Sequence, residues 1–456
     1  MSHQRFPGRQ DRWFEMFDPE VEARSLDDQF KRDDAAFRQQ ISYLFERSPF
    51  YARKLKKAGF NDAESVGGIA RISELPATDK DEIRESQQLA PPFGEHLAAD
   101  PADIMRIFST SGTTGTPTYI AVTRNDIERW ATNTARSYYA SGFRPGQRLV
   151  VTFNAGPFVA GGAYFGFDKL GTTVIPIGLG NTERLVSAMQ NLGAGNAGLS
   201  STPSYALHLI DWCAEHGIDT KSLGLRNLSV AGEPGGADPL IRERVEAAFD
   251  CVMREAMGIG DISTSIWGEC EHGGGMHFSA RDNTFVELVD PETREPVPWE
   301  DGAEGELVYT ALEREAMPLL RLNSRDHVVV NAVPCPCGRT SPRIRCIGRT
   351  DDMLIVRGVN LFPTAIGALL KEFLPEVGGF FRIVPKKRGV AQSPPLPVSV
   401  ELGPDVPAAP EGLAERIVTA IRSKLVVTTE VTLVPYGSLP RDEYKAKLVD
   451  YSQAKD

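Results

Sequence analysis

The stretch "GAGNAGLSSTPSYALHLIDWCAEHG", residues 193–217, decides the fold class of this chain. Its first half is a short apolar run typical of a buried strand, and its second half has the apolar spacing of a helix. Thr202 or Ser204 is expected to cap that helix, because a hydroxyl oxygen there accepts a hydrogen bond from a free N–H group of the first turn. The stretch therefore predicts a strand that runs directly into a helix.

Further buried strands are predicted at "QRLVVTFN" (147–154), "GTTVIPIG" (171–178) and "LRNLSVAGEPGG" (225–236). Strand and helix patterns that alternate in this way indicate α/β layers with a mainly parallel sheet. Residues 284–330 differ, since short strands separated by polar turns predict an antiparallel β unit there. Beyond residue 352 the order strand, helix, strand predicts a small α+β domain.

Length and composition limit the classes of protein to consider. With 456 residues the chain is too long for one ordinary core, and a domain boundary is expected near residues 348–352. The net charge of -11 and the lack of a basic stripe argue against nucleic acid as a partner. No apolar tract is long enough to span a membrane, and residues 1–20 do not resemble a secretory signal. A cytoplasmic location is therefore expected.

The loop "STSGTTGTPT" (109–118) combines two glycines with many hydroxyl groups. Gly112 and Gly115 let the backbone turn tightly and bring its N–H groups close to an anion. The loop lacks the Gly-Lys-Ser/Thr ending of a Walker A motif, so that type of nucleotide site is not predicted. From these residues alone, a phosphate cradle and a solvated turn between two strands remain equally open.

Six cysteines are too few for a disulfide scaffold in a chain of this length. Their spacing points to a metal instead, since three thiols and one imidazole fit a closed structural Zn²⁺ site, with the ligand set Cys270, His277, Cys335 and Cys337. His272 is the alternative nitrogen ligand, and a group of reduced, partly buried thiols is the alternative to a metal. The other three, Cys213, Cys251 and Cys346, are expected to be core residues.

Several motifs together resemble one family, the phenylacetate–CoA ligases, a branch of the adenylate-forming enzymes. The matching pieces occur in order along the chain: "LPATDKDEIRE" (75–85), "STSGTTGTPT" (109–118), "NTERLVSAM…STPSYAL" (181–207), "AGEP" (231–234), "REAMPLLRLNSRD" (314–326), "GRTDDMLIVRGVNLFP" (348–363) and "GSLPRDEYKAK" (437–447). The resemblance implies an N-terminal adenylation domain (1–348), a hinge (349–352) and a small mobile α+β C-terminal domain (353–456).

The resemblance also implies a reaction in two steps. A carboxylate first attacks the α-phosphate of Mg·ATP to give an acyl-adenylate and pyrophosphate, and a thiol, usually that of coenzyme A, then displaces AMP. The implied partners are a small carboxylic acid, ATP, Mg²⁺ and coenzyme A, and a homodimer is possible because homodimers are common among such ligases. Such chemistry needs aligned donors and a cation for the phosphate oxygens more than a covalent nucleophile.

Site residues follow from the same resemblance. The expected catalytic groups are Lys445, with Lys447 as the nearby alternative, Arg349 and the Mg²⁺ ligand Asp261. Asp351 is the expected hinge residue. The ATP-binding set comprises Ser109, Thr110, Ser111, Gly112, Thr113, Thr114, Gly115, Gly232, Glu233, Pro234, Asp326 and Arg349, of which Asp326 accepts from the ribose hydroxyls.

Three positions depart from the family pattern. Thr116 stands where the loop often has lysine, which suggests a less tightly held pyrophosphate or a cation from elsewhere. In "REAMGIGDISTS" (254–265), Met257 and Asp261 replace the usual tyrosine and glutamate. Asp261 keeps the carboxylate but is one methylene shorter, so the metal or its water shell must shift.

The acid substrate is the least determined feature of the sequence. An acyl pocket is expected from Phe153, Phe158, Tyr164, Tyr205 and Met257, although these side chains are equally compatible with core positions. An aromatic acid of the phenylacetate or benzoate type is the first expectation, and a short hydroxylated or branched acid the second. Two rival functions are the loading of the acid onto a carrier protein and a non-catalytic nucleotide-binding role. Retention of Lys445 argues against the second of these.

Overall fold

The computed structural model describes residues 15–110, 118–156, 158–178, 180–192, 196–350, 352–357, 359–387, 389, 391–440, 448–452 and 454. The chain divides into two compact units, of which the first comprises residues 1–324 and 329–345 and the second residues 325–328 and 346–456. The second unit thus begins close to the predicted hinge, whose Asp351 lies outside the described residues.

The helices and strands follow one another in the order that the sequence predicts. The helices of the first unit are α1 (Pro19–Glu22), α2 (Leu26–Arg47), α3 (Pro49–Lys57), α4 (Ala63–Val66), α5 (Lys80–Leu89), α6 (Arg124–Ala140), α7 (Ala163–Leu170), α8 (Thr182–Leu192), α9 (Pro203–Glu215) and α10 (Pro239–Phe249). Two three-stranded sheets belong to the second unit alone and are described below. The strands that precede them are β1 (Arg106–Ser109), β2 (Tyr119–Val122), β3 (Arg148–Val151), β4 (Thr173–Pro176), β5 (Ala197–Ser201), β6 (Leu225–Val230), β7 (Val252–Ile259), β8 (Ser263–Glu269), β9 (Met276–Phe278), β10 (Thr284–Val289), β11 (Glu304–Ala311), β12 (Leu322–Asn331) and β13 (Arg343–Arg349).

Eleven of these strands form one mixed sheet in the order β10-β11-β12-β13-β9-β8-β7-β6-β5-β3-β4. The five neighbouring strands β4, β3, β5, β6 and β7 pair in parallel, as the α/β prediction requires. β7 also pairs with β8, in the antiparallel direction. The antiparallel strands expected within 284–330 are present, and they extend the parallel sheet because β7 belongs to both parts.

Helices cover both faces of the parallel part. In β3, Leu149 and Val151 pack into an apolar cluster with α6 and α7, whereas Val150 between them packs with α8, α9 and α10. This alternation follows from the two-residue period of a strand, which sends successive side chains to opposite faces. The continuous apolar runs of the sequence are therefore explained by burial on both faces.

The start of α9 identifies the capping residue, for which the sequence allows two candidates. The hydroxyl of Thr202 accepts a hydrogen bond from the backbone N–H of Tyr205, and Pro203 fills the first helical position. Proline suits that position because its missing N–H would have no partner in the helix. Thr202 rather than Ser204 is the cap.

The second unit has the predicted α+β composition. Its elements are β14 (Leu354–Val356), β15 (Val359–Leu361), α11 (Pro363–Leu370), β16 (Val377–Ile383), β17 (Ala391–Gln392), β18 (Leu396–Leu402), α12 (Leu413–Leu425) and β19 (Thr429–Val434). Two three-stranded sheets, β15-β14-β17 and β16-β18-β19, pack with both helices around one apolar core. Among the described residues of the whole chain, no helix is both long and apolar enough to cross a membrane.

Gly268 in β8 allows the central sheet to approach α6, and its replacement tests that contact. A Cβ atom at Gly268 would lie 2.7 Å from Cα and 2.8 Å from O of Ser137, which are backbone atoms of α6. We expect Gly268→Ala to lower the free energy of unfolding by about 1–3 kcal/mol, measured by urea denaturation, because the helix must shift. Gly156→Ala is the control, since nothing lies within 4 Å of its Cβ position. Equal stability of the two variants would contradict the account.

Candidate active site and cysteine cluster

The carboxyl ends of the parallel strands define the edge where the candidate site lies. Val151 of β3 aligns with Ser200 of β5, and Ser201 aligns with Val230 of β6, so these strands end at the same level. Ligands of open α/β sheets bind in the crevice at this edge. The segments that follow directly carry Phe153 and the stretch 231–234, in which Gly232, Glu233 and Pro234 are predicted to contact ATP.

The turn 231–236 has a fixed backbone conformation. Gly232 has φ +90, a left-handed value that favours glycine, and the N–H of Ala231 donates to the carbonyl oxygen of Ser201 at 3.0 Å. Glu233 accepts a hydrogen bond of 2.7 Å from the N–H of Ser204 at the start of α9. Its carboxylate thus ties the turn to that helix, while Gly232 and Pro234 are exposed.

The hydroxyl-rich loop extends from a β-hairpin, as the sequence predicts. β1 and β2 pair antiparallel, the N–H of Thr110 donates to the oxygen of Thr118 at 3.0 Å, and the N–H of Thr118 lies 3.4 Å from Oγ1 of Thr110. Ser109 is buried at the end of β1. The other predicted positions of this loop lie outside the described residues: Ser111, Gly112, Thr113, Thr114, Gly115 and Thr116.

Asp261, the predicted Mg²⁺ ligand, lies in the turn between β7 and β8. Its side chain is only 7% exposed, and its Oδ2 is 2.7 Å from Nζ of Lys80, the first residue of α5. A buried carboxylate close to an ammonium group interacts far more strongly than a pair in water. The sequence analysis did not single out Lys80, although it lies in the family-matching stretch 75–85, directly after the helix cap Asp79.

The turn that carries Asp261 is also held by a buried arginine that the sequence analysis missed. Nη1 of Arg314 donates to the carbonyl oxygen of Ile262 at 3.0 Å, and the guanidinium lies 4.7 Å from the ring centre of Trp130. Burial lowers the pKa of Arg314, an effect opposed by the nearby carboxylate of Asp126. Arg314 therefore fixes the position of Asp261 through the backbone of its neighbour.

Asp261 also borders a small cavity that reaches the base of the hydroxyl-rich loop. Its lining includes His96 and Thr118, the first described residue after the loop. Burial lowers the pKa of His96 to about 4, so the imidazole is neutral at physiological pH. The structure thus brings the predicted metal ligand and the root of the predicted phosphate loop to one place.

The five residues predicted for the acyl pocket lie in different parts of the first unit. The hydroxyl of Tyr164 donates to the carbonyl oxygen of Phe153 at 3.1 Å, and the two rings pack edge to face. Phe158 forms a backbone bridge to Ser109. Tyr205 packs in the cluster on the opposite face of the sheet, with its hydroxyl 3.1 Å from Oγ1 of Thr182, and Met257 lies opposite Trp267 across β7 and β8.

Two predicted nucleotide contacts lie together in the second unit. Nη1 of Arg349 is 3.3 Å from Oδ1 of Asp326, which makes them an ion pair. The N–H of Thr350 donates to the oxygen of Arg325 at 2.7 Å, and Arg325 has φ +67, an uncommon conformation for a residue with a side chain. Strained backbone of this kind is often found at functional sites.

The stretch with the predicted catalytic lysine is anchored at both ends. Lys445 and Lys447 themselves lie outside the described residues. Before them, the fully buried carboxylate of Glu401 in β18 accepts from the N–H groups of Gly437 at 3.2 Å and Leu439 at 2.7 Å. After them, Ile383 bonds through its backbone to Leu448 and Asp450, at 2.8 Å each.

The cysteine cluster is the most compact group of metal-type ligands in the described part of the chain. The ligand atoms of Cys270, His277, Cys335 and Cys337 all lie within 4.8 Å of one another, and all four residues are buried. Sγ of Cys270 is 3.6 Å from Sγ of Cys335, and Sγ of Cys337 is 3.4 Å from Nε2 of His277. His272, the alternative ligand, pairs instead with Glu271 at 3.6 Å.

These distances fit a tetrahedral metal site. Zinc–sulfur bonds of about 2.3 Å place two sulfur ligands of a tetrahedron about 3.8 Å apart. Nδ1 of His277 lies 3.1 Å from the carbonyl oxygen of Ser341, which directs Nε2 toward the thiols. Hydrogen bonds from Cys270 and His277 keep the pKa of Cys337 below its usual value, so this group has the thiolate character that a metal requires.

Of the three cysteines expected in the core, Cys213 and Cys251 pack in an apolar cluster, whereas Cys346 lies in the second unit. Cys213 is fully buried, and Cys251 packs partly buried against the same apolar cluster. Cys346 is only half-buried, at the start of the second unit, with its Sγ 3.6 Å from the oxygen of Gly348.

The large mixed sheet, the hairpin with its hydroxyl-rich loop and the α+β second unit together define an adenylate-forming enzyme. Residues 358–451 match the family described as AMP-binding enzyme C-terminal domain. Phenylacetate–coenzyme A ligase of Thermus thermophilus is 35% identical over 94% of this chain and 97% of its own length. The corresponding ligase of Escherichia coli is 30% identical over 93% and 95%. The chain belongs to the phenylacetate–coenzyme A ligase family.

A solved structure agrees with this assignment. The 2-hydroxyisobutyryl-CoA ligase in its postadenylation state, in complex with 2-HIB-AMP, superposes with a TM-score of 0.87. It is 29% identical to this chain, and the match covers 99% of this chain and 95% of that one. The predicted family and fold class are confirmed.

Glu401 offers a test of how the catalytic stretch is anchored. In Glu401→Ala, the N–H groups of Gly437 and Leu439 lose their acceptor, and a hydrogen bond to a charged group contributes about 1.5–3 kcal/mol. We expect amide hydrogen exchange of residues 437–439 to become at least about fivefold faster, measured by mass spectrometry. The control is Glu430→Ala in β19, whose side chain is 60% exposed. Unchanged exchange in Glu401→Ala would show that Glu401 is not the anchor.

Proposed function

We propose that this protein is an ATP-dependent acyl-CoA ligase, which converts a carboxylic acid to its acyl-adenylate and then to the CoA thioester. The observation that carries the proposal is the identity of 35% to a phenylacetate–coenzyme A ligase across both units of the chain. A protein that only binds nucleotide would not need the second unit's lysine-bearing stretch, which the sequence retains at Lys445.

In the first step, a carboxylate oxygen of the acid attacks the α-phosphorus of ATP, and the bond to the pyrophosphate oxygen breaks. The N–H and hydroxyl groups of the loop that begins at Ser109 and Thr110 would hold the phosphates. Asp261 would hold Mg²⁺, which supplies positive charge to the phosphate oxygens when bound. The carboxylate suits this metal. Lys80 can then turn from Asp261 to the phosphates and replace the charge missing at Thr116.

The nucleoside would be held by residues from distant parts of the sequence. The exposed turn at Gly232 and Pro234 would contact the adenine, and Glu233 keeps that turn fixed through its bond to α9. Asp326 has two oxygens to accept from the ribose hydroxyls. Arg349, now paired with Asp326, would contact the ribose or the phosphate.

In the second step, the CoA thiol loses its proton, its sulfur attacks the acyl carbonyl carbon, and AMP leaves. We propose that rotation at Asp351 brings Lys445 to the α-phosphate for the first step and removes it for the second. Conformational changes of this kind are concentrated in a few hinge residues.

Two classes of acid are favoured by different relatives. Two sequence relatives, 35% and 33% identical to this chain, are named for phenylacetate, an aromatic acid. The structural neighbour with a TM-score of 0.87 carries the adenylate of a short hydroxylated, branched acid. We propose the aromatic class first, on the basis of these sequence relatives. The hydroxylated or branched class comes second, because Met257 and Asp261 depart from the family pattern.

We further propose that the cysteine cluster holds a structural Zn²⁺. A set of three cysteines and one histidine, buried and without an open position, is suited to stabilising a fold rather than to catalysis.

The protein is proposed to act in the cytoplasm, where free thiols keep their reduced state.

The proposed activity is tested by pyrophosphate release from Mg·ATP with a panel of aromatic and short hydroxylated acids, each with and without CoA. We expect one class to give turnover that rises on addition of CoA. Lys445→Ala should lower the rate of adenylation by about 10²-fold or more, because a cation that stabilises transition-state charge is lost. The matched control is Lys447→Ala, which should keep most of the rate.

The remaining outcomes distinguish the rival functions. Pyrophosphate release that does not respond to CoA, but responds to a carrier protein, would replace the CoA acceptor. ATP binding without turnover for any acid would support a nucleotide-binding role. Equal effects of Lys445→Ala and Lys447→Ala would contradict the assignment of the lysine.

The zinc site is tested by metal analysis of the purified protein. We expect about one Zn²⁺ per chain by mass spectrometry, and a lower melting temperature after removal with a chelator, since metal binding contributes to folding. Cys335→Ser should lower the zinc content, whereas Cys251→Ser, outside the cluster, should not. A metal-free protein with an unchanged melting temperature in chelator would refute the proposal.

A further inference from the structure

One buried histidine is not used by the mechanism proposed above. His96 is fully buried, and its Nδ1 lies 3.0 Å from Oγ of Ser86 in α5. Its Nε2 is buried and has no hydrogen-bond partner among the described residues. An unsatisfied buried group of this kind is unfavourable, so a partner is expected.

The space around the imidazole is kept by the local backbone. Gly94 has φ +83, and a Cβ atom there would lie 2.6 Å from Cε1 and Nδ1 of His96. Both the left-handed backbone and the missing side chain at Gly94 therefore allow the ring to lie where it does. This arrangement is specific to a ring at position 96.

The cavity beside His96 is also bordered by the carboxylate residue Asp261. Its lining residues are Ile83, His96, Thr118, Tyr119, Ile120, Asp261, Met317 and Leu319. Oδ2 of Asp261 forms an ion pair with Lys80 and accepts no further hydrogen bond from the described residues. One cavity with mainly apolar walls is thus lined by a histidine whose Nε2 lacks a hydrogen bond and by a carboxylate residue whose Oδ2 is paired with Lys80.

The chemistry of the two groups is complementary. When the hydroxyl of Ser86 donates to Nδ1, the neutral ring carries its proton on Nε2 and becomes a donor. A carboxylate is an acceptor, and a single water molecule that receives from Nε2 and donates to Oδ2 satisfies both.

We propose that this cavity binds one ordered water molecule, and that His96 acts through it as a positioning residue for the carboxylate of Asp261. The orientation of Asp261 decides how its oxygens are divided between Lys80 and a metal ion. Outer contacts of this type typically change metal affinity by about 10–100-fold when removed. The link to metal affinity rests on the proposed function, but the water-mediated contact does not.

Two variants with amide side chains distinguish the role of Nε2 of His96 from that of Nδ1. The amide nitrogen of His96→Gln reaches the position of Nε2, whereas that of His96→Asn reaches only the position of Nδ1. We expect His96→Asn to raise the Mg²⁺ concentration for half-maximal ATP–pyrophosphate exchange by about tenfold. His96→Gln should restore it to within about twofold of the wild type. If His96→Asn behaves as the wild type and His96→Gln does not, the ring acts only through Ser86 and the proposal fails.

A double-mutant cycle tests whether the effect passes through Asp261. In an Asp261→Asn background, His96→Asn should cause no further change in the Mg²⁺ requirement, because the acceptor is already altered. An effect of the same size in both backgrounds would overturn the proposal. Melting temperatures of all four proteins separate this coupling from loss of folding.

A measurement without turnover keeps the inference distinct from the proposed activity. In ¹⁵N-histidine-labelled protein, we expect the ring of His96 to be the Nε2–H form and its signals to shift in Asp261→Asn. The opposite tautomer, or no shift, would refute the contact even in an active enzyme. The expected spectra with no ATP-dependent turnover for any acid would leave the contact standing and refute the proposed function.

Discussion

The fold depends on the double pairing of β7. This strand extends the parallel sheet through β6 and begins the antiparallel sheet through β8. The strands on its two sides, β6 and β8, are also its neighbours in sequence, and the two parts of the sheet form one continuous layer of strands. Asp261 lies in the turn where β7 passes to β8, so the predicted metal ligand is positioned by the junction between the two halves of the sheet.

Helix α5 connects the parts of the candidate site that approach this turn. Lys80 at the start of the helix pairs with Asp261, and Ser86, six residues further along, contacts His96. Gln87, next to Ser86, bonds to both the N–H and the oxygen of Tyr119, at 3.1 and 2.6 Å. A single helix therefore relates the predicted metal ligand to the hairpin of the loop.

Local sequence patterns predicted the fold because the elements are locally consistent. The apolar runs are almost entirely buried where they form β3 and β6, and the motif residues identified the family that the comparisons confirm. The two spacings around Cys270, His277, Cys335 and Cys337 also predicted which four ligands converge. The buried strands, the family motifs and the cysteine cluster can be predicted because each depends on residues that are close together in the sequence or on residue types that are typical of few structures.

The missed features depend on contacts between distant parts of the chain. Lys80 and Asp261 are 181 positions apart, and the sequence near either residue does not indicate that the charge of the other will neutralise it. Arginine usually lies at the surface, and the burial of Arg314 depends on partners distant in sequence, among them Asp126, Trp130 and the carbonyl oxygen of Ile262. The aromatic residues of the predicted acyl pocket show the same difficulty, since Tyr205 and Phe153 pack in different clusters.

The ion pair of Lys80 and Asp261 has a consequence for the order in which ligands arrive. If Asp261 holds the metal as proposed, a free divalent ion would have to displace an ammonium group that is already 2.7 Å from the carboxylate. A metal that arrives already complexed to a nucleotide brings phosphate oxygens that can accept the released lysine. The electrostatics therefore favour an exchange of partners over simple addition, with metal and nucleotide entering together rather than in sequence.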